Sequence, residues 1–278
     1  MQFCADFKSF FTLTFFVRCG IITRLEKMNF SEGFVMKFKN SRFKEIDSTN
    51  DEAKRYVSGG GELPALIFSE SQTAGRGRLG RSFFSSDNKG VYMTVVFEAP
   101  AEDAFLKITS IAAVCAVESI KELFGVSTEI KWVNDIYYKS KKVGGILAES
   151  FVVDDKRYVA VGFGINLYTR LPEELRDIAI SIFPEYPDSY TLKMQRDALV
   201  DRITSKLLMA LETSELDKYI EKYRALSCVI GKNVIFTENG LELSALALDI
   251  NSDGALLVRL SDGSERLLST GEISLKVV

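Results

Sequence analysis

The chain has 278 residues, 46% of them hydrophobic and 26% charged, with a formal net charge of -3. That is the balance of a globular protein with a sizeable core, long enough for one large domain and a small one, and it offers no bulk positive charge for a nucleic-acid partner. Histidine is absent, which excludes histidine triads, histidine general bases and histidine-ligated zinc, and the scattered Cys4, Cys19, Cys115 and Cys228 form no CxxC pair.

In chain order, Phe10 to Val17 is a short apolar run that lacks the basic flank and cleavage site of a signal peptide. It also falls short of the roughly 20 apolar residues that a membrane-spanning helix needs. Residues 1–35 are therefore expected to be a poorly ordered extension, or to precede a working start at Met28 or Met36. From Phe38 onward strand-like and helix-like segments alternate. Thr49 and Glu52 have the spacing of a capping box opening a short helix, which Gly59, Gly60 and Gly61 stop. Ala65–Ser69 predicts a strand, and Val91–Glu98 an alternating one with Val91, Met93, Val95 and Phe97 on one face. Lys107–Phe124 predicts a buried helix, followed by strands over Glu129–Trp132, Val143–Val152 and Tyr158–Phe163. Two amphipathic helices carry the stripes Leu199, Ile203, Leu207, Leu211 and Leu216, Tyr219, Ile220, Tyr223. Beyond Ser227 the pattern becomes two hairpins, one turning at Asn239-Gly240 and one at Ser261-Asp262-Gly263. These short strands predict a small β-barrel from residue 227 to 278, after a larger domain over residues 36–226.

Four segments carry chemistry. Residues 70–83, ESQTAGRGRLGRSF, interleave Gly75, Gly77 and Gly80 with Arg76, Arg78 and Arg81 just after a strand. Glycines admit a ligand close to the backbone, and guanidinium groups suit phosphate or carboxylate oxygens. The run matches neither a Walker loop nor the dinucleotide fingerprint; an exposed arginine loop or an RNA contact is the plainer alternative. Residues 131–138, KWVNDIYY, and 141–150, KKVGGILAES, set Lys131, Asn134, Asp135 and Lys142 among apolar neighbours, where each needs a partner or a ligand. An internal Lys–Asp ion pair would meet that need as well. Gly144-Gly145 fits either a bulge or a place where a ligand crowds the backbone. In Asp47-Ser48-Thr49-Asn50 the hydroxyls sit at a helix start, available for a cap or a polar ligand. Asn166, in GFGINL at 162–167, suits an adenine edge or a turn.

Taken together, DSTN, QTAGRGRLGR, KWVNDI, KVGGILAE and GFGINL, in that order, resemble the catalytic core of the biotin–protein ligase family, and the resemblance runs from about residue 43 to the C-terminus. It implies an α+β fold, a mixed sheet packed with helices as in class II synthetases, closed by a small SH3-like β-barrel. It implies the reaction too. Biotin and ATP, with Mg²⁺, give biotinyl-5′-AMP and pyrophosphate, and the biotinyl group then passes to a lysine of a biotin carboxyl carrier domain. On this resemblance Ser48, Thr49, Asn50, Gln72, Gly75 and Gly145 belong to the biotin site. Arg76 and Lys142 lie by the biotin carboxylate and the α-phosphate, and Arg78 retains the adenylate. Lys131, Asn134, Asp135 and Asn166 face the nucleotide, with Lys142, Arg76, Arg78 and Asp135 the catalytic set. No protein histidine or cysteine holds a metal. The sequence departs from the family at Val133, where proline is usual, and at Phe83 or Phe84, where tryptophan is common. The nearest rival is a lipoate–protein ligase of the same fold; a different class is a non-catalytic RNA-binding module. A cytoplasmic enzyme, monomer or homodimer, with neither DNA nor membrane as partner, is the expectation.

Overall fold

The computed structural model describes residues 38–85, 88–100, 102–238, 240–269 and 276–277. The expected N-terminal extension, Cys4 and Cys19, and Asn239 of the first hairpin lie outside the described residues. The order begins with β1 (Lys39–Ile46), α1 (Thr49–Ser58), β2 (Ala65–Gln72), β3 (Val91–Glu98) and α2 (Glu102–Phe124). It continues with β4 (Glu129–Lys131), β5 (Asp135–Tyr138), β6 (Lys141–Val153) and β7 (Lys156–Ile165), then α3 (Ser189–Glu212) and α4 (Leu216–Ala225).

The seven strands form one mixed sheet in the order β1-β2-β3-β7-β6-β5-β4, parallel between β1 and β2 and antiparallel elsewhere. This is the α+β architecture expected. The alternation expected in β3 is not what the strand uses: Tyr92, Thr94 and Val96 are as buried as Val91, Met93 and Val95. Both faces of the central strands are covered, so burial overrides the one-sided pattern. On one face α1 packs Ala53 and Val57 against Ala65, Ile67, Val96 and Ala160. Helices α3 and α4 each pack on α2, which also meets β4, β5 and β6, and α3 meets β3. The stripe expected on α3 is realised at Leu199, Ile203 and Leu207, all fully buried.

Two details differ from expectation. The N-cap of α1 is Ser48, not Thr49: Ser48 is extended and its hydroxyl accepts from the Asp51 amide, while Thr49 is already helical. Sequence patterning also missed β1 and β5; β5 is four residues long and follows β4 after a turn at Trp132–Asn134. The peptides Leu63–Pro64 and Trp132–Val133 are cis.

Residues beyond α4 form a second sheet from β8 (Asn233–Glu238), β9 (Leu241–Ile250), β10 (Leu256–Leu260), β11 (Glu265–Leu268) and β12 (Lys276–Val277), ordered β11-β10-β9-β8-β12 with antiparallel neighbours. Here the period of two holds, with Val234, Phe236, Ala245, Ala247, Leu256 and Val258 buried. Both expected hairpins are present as β8–β9 and β10–β11. Contacts join this sheet to the larger one. The Trp132 indole donates to the Gly254 carbonyl at 2.8 Å, and Arg224 donates to the Ile250 carbonyl.

Candidate active site

A cleft of about 450 Å³ opens on the face of the large sheet that carries α1. Among the expected site residues, Ser48, Thr49, Asn50, Gln72, Arg76, Arg78, Lys131, Asn134, Asp135, Lys142, Gly145 and Asn166 line it. Gly75 does not. Its carbonyl accepts from the Phe83 amide at 2.8 Å, and a Cβ there would meet Ser85 Oγ at 2.2 Å. Gly75 lets the arginine-rich loop fold back on itself, which is a different use from touching a ligand.

Strand register decides which side chains share the cleft. Asp135 pairs with Lys131 on one side and with Gly145 on the other, and paired residues project from the same face. Lys142 is three residues from Gly145, so a regular strand would turn it to the opposite face. Between Ile136 and Tyr137 the register shifts, with one extra residue on β6, and Lys142 pairs with Tyr137 instead. This bulge brings Lys142 back to the face of Asp135, where its Nζ lies 2.7 Å from Asp135 Oδ1. The internal Lys–Asp ion pair foreseen as a plain alternative exists and belongs to the cleft, whereas the bulge lies at Val143, beside the Gly144-Gly145 pair, whose own pairing with Ile136 and Asp135 is regular. The Lys142 backbone also pairs with residues 178–180, of which Ile178 and Ala179 line the cleft.

The floor is made of glycines. Gly145, Gly162 and Gly164 lie on this face of β6 and β7. A Cβ at Gly162 would stand 2.2 Å from Asn50 Oδ1, and one at Gly164 2.5 Å from the Phe83 ring. As a sequence, GFGINL points to Asn166 and not to the two glycines. Their i, i+2 spacing on a strand was the available signal.

At the β2–β3 end, buried polar groups form a connected set. The Thr49 amide and hydroxyl donate to Gln72 Oε1 at 2.8 and 3.0 Å. Thr94 Oγ1 lies 2.6 Å from Asn50 Oδ1 and 2.9 Å from Thr49 Oγ1. The Asn50 amide nitrogen donates to Glu149 Oε2 at 2.8 Å and to the Leu147 carbonyl at 3.2 Å. Arg76 forms an ion pair with Glu149 and lies 3.4 Å from Asp51 Oδ1. Lys54 reaches Glu149 at 3.2 Å. Burial alone would raise the Glu149 carboxyl, but Asn50, Lys54 and Arg76 together hold it below the usual carboxylate range.

At the β4–β5 end the cleft is cationic. Burial lowers the Lys131 ammonium, partly offset by Asp135, and Lys131 donates to the Tyr137 hydroxyl at 3.2 Å. Burial pushes the Tyr137 phenol up to about 12. Arg78 is about 3.4 Å from Asn134 Oδ1, and Asn134 donates to the Ile146 carbonyl at 2.7 Å. Asn166 is buried, and its Oδ1 has no hydrogen-bond partner. An orphaned acceptor on a cleft wall is costly without a ligand donor. Val133, in the place of the family's proline, is buried, and its carbonyl accepts from the Tyr223 hydroxyl at 2.8 Å. Phe83 and Phe84 both line the cleft, and the Lys142 Nζ stands 6.0 Å from the Phe83 ring centroid.

Among the described residues no group of three or more His, Cys, Asp or Glu side chains could hold a metal ion, and Asp135 is the one carboxylate lining the cleft. The same residues contain no helix long and apolar enough to cross a membrane. Such a site, with acceptors and donors at one end, cations at the other and a glycine floor between, suits a long ligand with a polar head and an anionic middle.

Comparison with known proteins agrees with that reading. Residues 43–166 match the biotin/lipoate A/B protein ligase family, and residues 229–276 match the biotin protein ligase C-terminal domain. The bifunctional ligase/repressor BirA of Bacillus subtilis is 30% identical over 238 residues, covering 81% of this chain and 70% of that protein. The biotin–[acetyl-CoA-carboxylase] ligase of Mycobacterium tuberculosis is 28% identical over 245 residues, covering 82% and 86%. The biotin protein ligase of Aquifex aeolicus, solved in complex with biotin and ATP, superposes with a TM-score of 0.71 at 25% identity, covering 86% of this chain and 99% of that one.

Proposed function

Because the chain belongs to the biotin/lipoate A/B protein ligase family and functions as a biotin–protein ligase, we propose that its cleft divides the reaction between two ends. The observation that supports the division is the layout across the strand order. Ser48, Thr49, Asn50 and Gln72 gather over β2, β3 and β7, while Lys131, Asp135 and Lys142 gather over β4, β5 and β6. Four strand spacings of about 4.8 Å separate β2 from β5, room for biotin and a nucleotide end to end.

The polar end takes the ureido head of biotin. Thr49 spends both donors on Gln72 Oε1, so the Gln72 amide nitrogen is the group left to meet the ligand. The valeryl chain then lies along Gly145, Gly162 and Gly164 and the carboxylate meets Lys142, while Arg76, paired with Glu149, stays at the polar end. Attack of a carboxylate oxygen on the α-phosphorus of ATP forms the P–O bond of biotinyl-5′-AMP and expels pyrophosphate. Lys142, held by Asp135, offsets charge growing on the α-phosphoryl oxygens, and Lys131 and Arg78 lie beside the same phosphates. Mg²⁺ entering with ATP would supply charge neutralisation to the leaving pyrophosphate, and Asp135 is the carboxylate lining the cleft that could help hold it. Asn134 and the orphaned Asn166 Oδ1 face the nucleotide. In the second step the acceptor lysine amine attacks the carbonyl carbon and AMP departs. No protein nucleophile is needed; the chain supplies position and charge.

The acceptor is the carrier domain of a biotin-dependent carboxylase, and the ligase half of the BirA double name is the half assigned here. We take residue 227 as the boundary between the catalytic part and the smaller sheet, and place the enzyme in the cytoplasm as a monomer or homodimer. Pyrophosphate release from ATP and Mg²⁺, with biotin or with lipoate, tests the assignment. Release should depend on biotin and collapse in Lys142→Ala. Release with lipoate alone would transfer the chain to the lipoate branch of the family.

A further inference from the structure

Glu149 closes the KVGGILAE segment on β6, where the sequence gives it no role of its own, yet it ties both α1 and the glycine–arginine loop to that strand. From α1 it accepts the Asn50 amide nitrogen and Lys54 Nζ, and from the glycine–arginine loop it takes the Arg76 guanidinium. Asp51 supports the same pair from the next position of α1, 3.4 Å from Arg76 and 3.8 Å from Lys54. The contacts also fix a direction. Asn50 presents its oxygen to Thr94 Oγ1 and its nitrogen to Glu149. A carboxylate only accepts and cannot donate, so the amide has one favoured orientation while Glu149 is ionised. Arg76, for its part, is held over the cleft by a charge the protein carries itself, so the loop is placed before any ligand anion arrives. The carboxylate is about one-quarter exposed, buried enough for its hydrogen bonds to count and open enough to stay ionised.

We propose that Glu149 is a positioning residue for biotin, setting the Asn50 amide and latching Arg76 so that the polar end of the cleft is assembled in the free enzyme. The proposal rests on the biotin–protein ligase assignment. Glu149 acts through Asn50 and Arg76 and touches neither the reacting carboxylate nor the phosphate.

The test is biotin-dependent ATP–pyrophosphate exchange with each substrate varied in turn, on wild type, Glu149→Gln, Arg76→Gln and the double variant. Glu149→Gln should raise KM for biotin by about tenfold or more, with kcat and KM for ATP within about threefold. Because the two residues act as one unit, the double variant should cost no more than the worse single variant. Glu149→Asp keeps the charge, which the flexible Arg76 and Lys54 can follow, and should fall between wild type and Glu149→Gln. A KM for biotin within about twofold of wild type in Glu149→Gln overturns the proposal. So does a parallel change in kcat and both KM values with a lowered melting midpoint, which would mark a merely structural role. Wild type without biotin-dependent exchange would instead fail the functional assignment, a result the control reads separately.

Discussion

Lys142 reaches Asp135 only because β6 carries one residue more than β5 between their paired positions. The 2.7 Å ion pair is therefore a product of register. The backbone of the same lysine pairs with residues 178–180, so the bulged position carries both the charge and the adjoining wall at Ile178 and Ala179.

Lys142→Ala should lower the rate of adenylate formation by about a hundredfold or more, the scale at which a single group stabilising transition-state charge acts. Single-turnover formation of biotinyl-5′-AMP measures it. Lys142→Arg should recover little, because a forked guanidinium does not reproduce a point charge at that spot. A loss under about threefold in the alanine variant would remove Lys142 from the chemical step.

Gly162→Ala places a methyl group 2.2 Å from Asn50 Oδ1, and the amide must leave Thr94 to make room. Overpacking of this kind costs about 1–3 kcal/mol. Biotin affinity should fall by about tenfold while affinity for ATP holds, which calorimetric titration of each ligand would read. Equal losses for both ligands would mean that the glycine serves the sheet and not the biotin end.

Trp132→Phe removes the indole donor and leaves the Gly254 carbonyl without it, a loss of about 1–3 kcal/mol read by urea unfolding. Since Trp132 also lines the cleft, KM for ATP should rise along with the loss of stability. Unchanged kinetics in a destabilised variant would confine the contact to holding the two sheets together.

Acid should destabilise the protein in a defined window. Glu149, Glu118 and Asp197 are each pulled below the usual carboxylate range by neighbouring cations that outweigh burial: Lys54 and Arg76 with the Asn50 amide, Lys222 and Lys206, and Lys193 and Arg42. A depressed folded pKa contributes stability above the unfolded value, near 4 for these groups, and loses it as the pH falls through the folded values. The melting midpoint should be nearly level from about pH 7 to 5 and fall steeply below about 4.5. A profile level down to pH 3 would contradict the role given to these pairs.

How far the sequence revealed this site follows from the range of each interaction. The arginine-rich loop, the DSTN helix start, the two lysine-bearing segments and GFGINL are local signatures, and twelve of the residues they nominate share the cleft. What stayed hidden depends on strands meeting. Glu149 contacts Asn50 across 99 positions, and no local pattern encodes such a partner. The bulge at Lys142 is a count of residues between two strands, visible only once β5 is known to exist. Ser48 displaced Thr49 as the helix cap because Thr49 is committed to Gln72, 23 residues away. Alternation misdescribed β3 because α1 covers the face assumed to be polar.

The Trp132–Gly254 contact spans 122 positions, and this has a bearing on the order in which the molecule matures. A nascent chain displays every cleft motif long before the β9–β10 turn is made. From the end of GFGINL at residue 167 to Gly254, at about 5–20 residues per second, the interval is roughly 4–17 s. During that time the polypeptide on the ribosome holds the groups that bind biotin and ATP without the brace that fixes Trp132. Competence is thus gained late in synthesis, and a polypeptide broken off before Gly254 would carry the whole recognition sequence and lack the fastening behind one wall of its cleft.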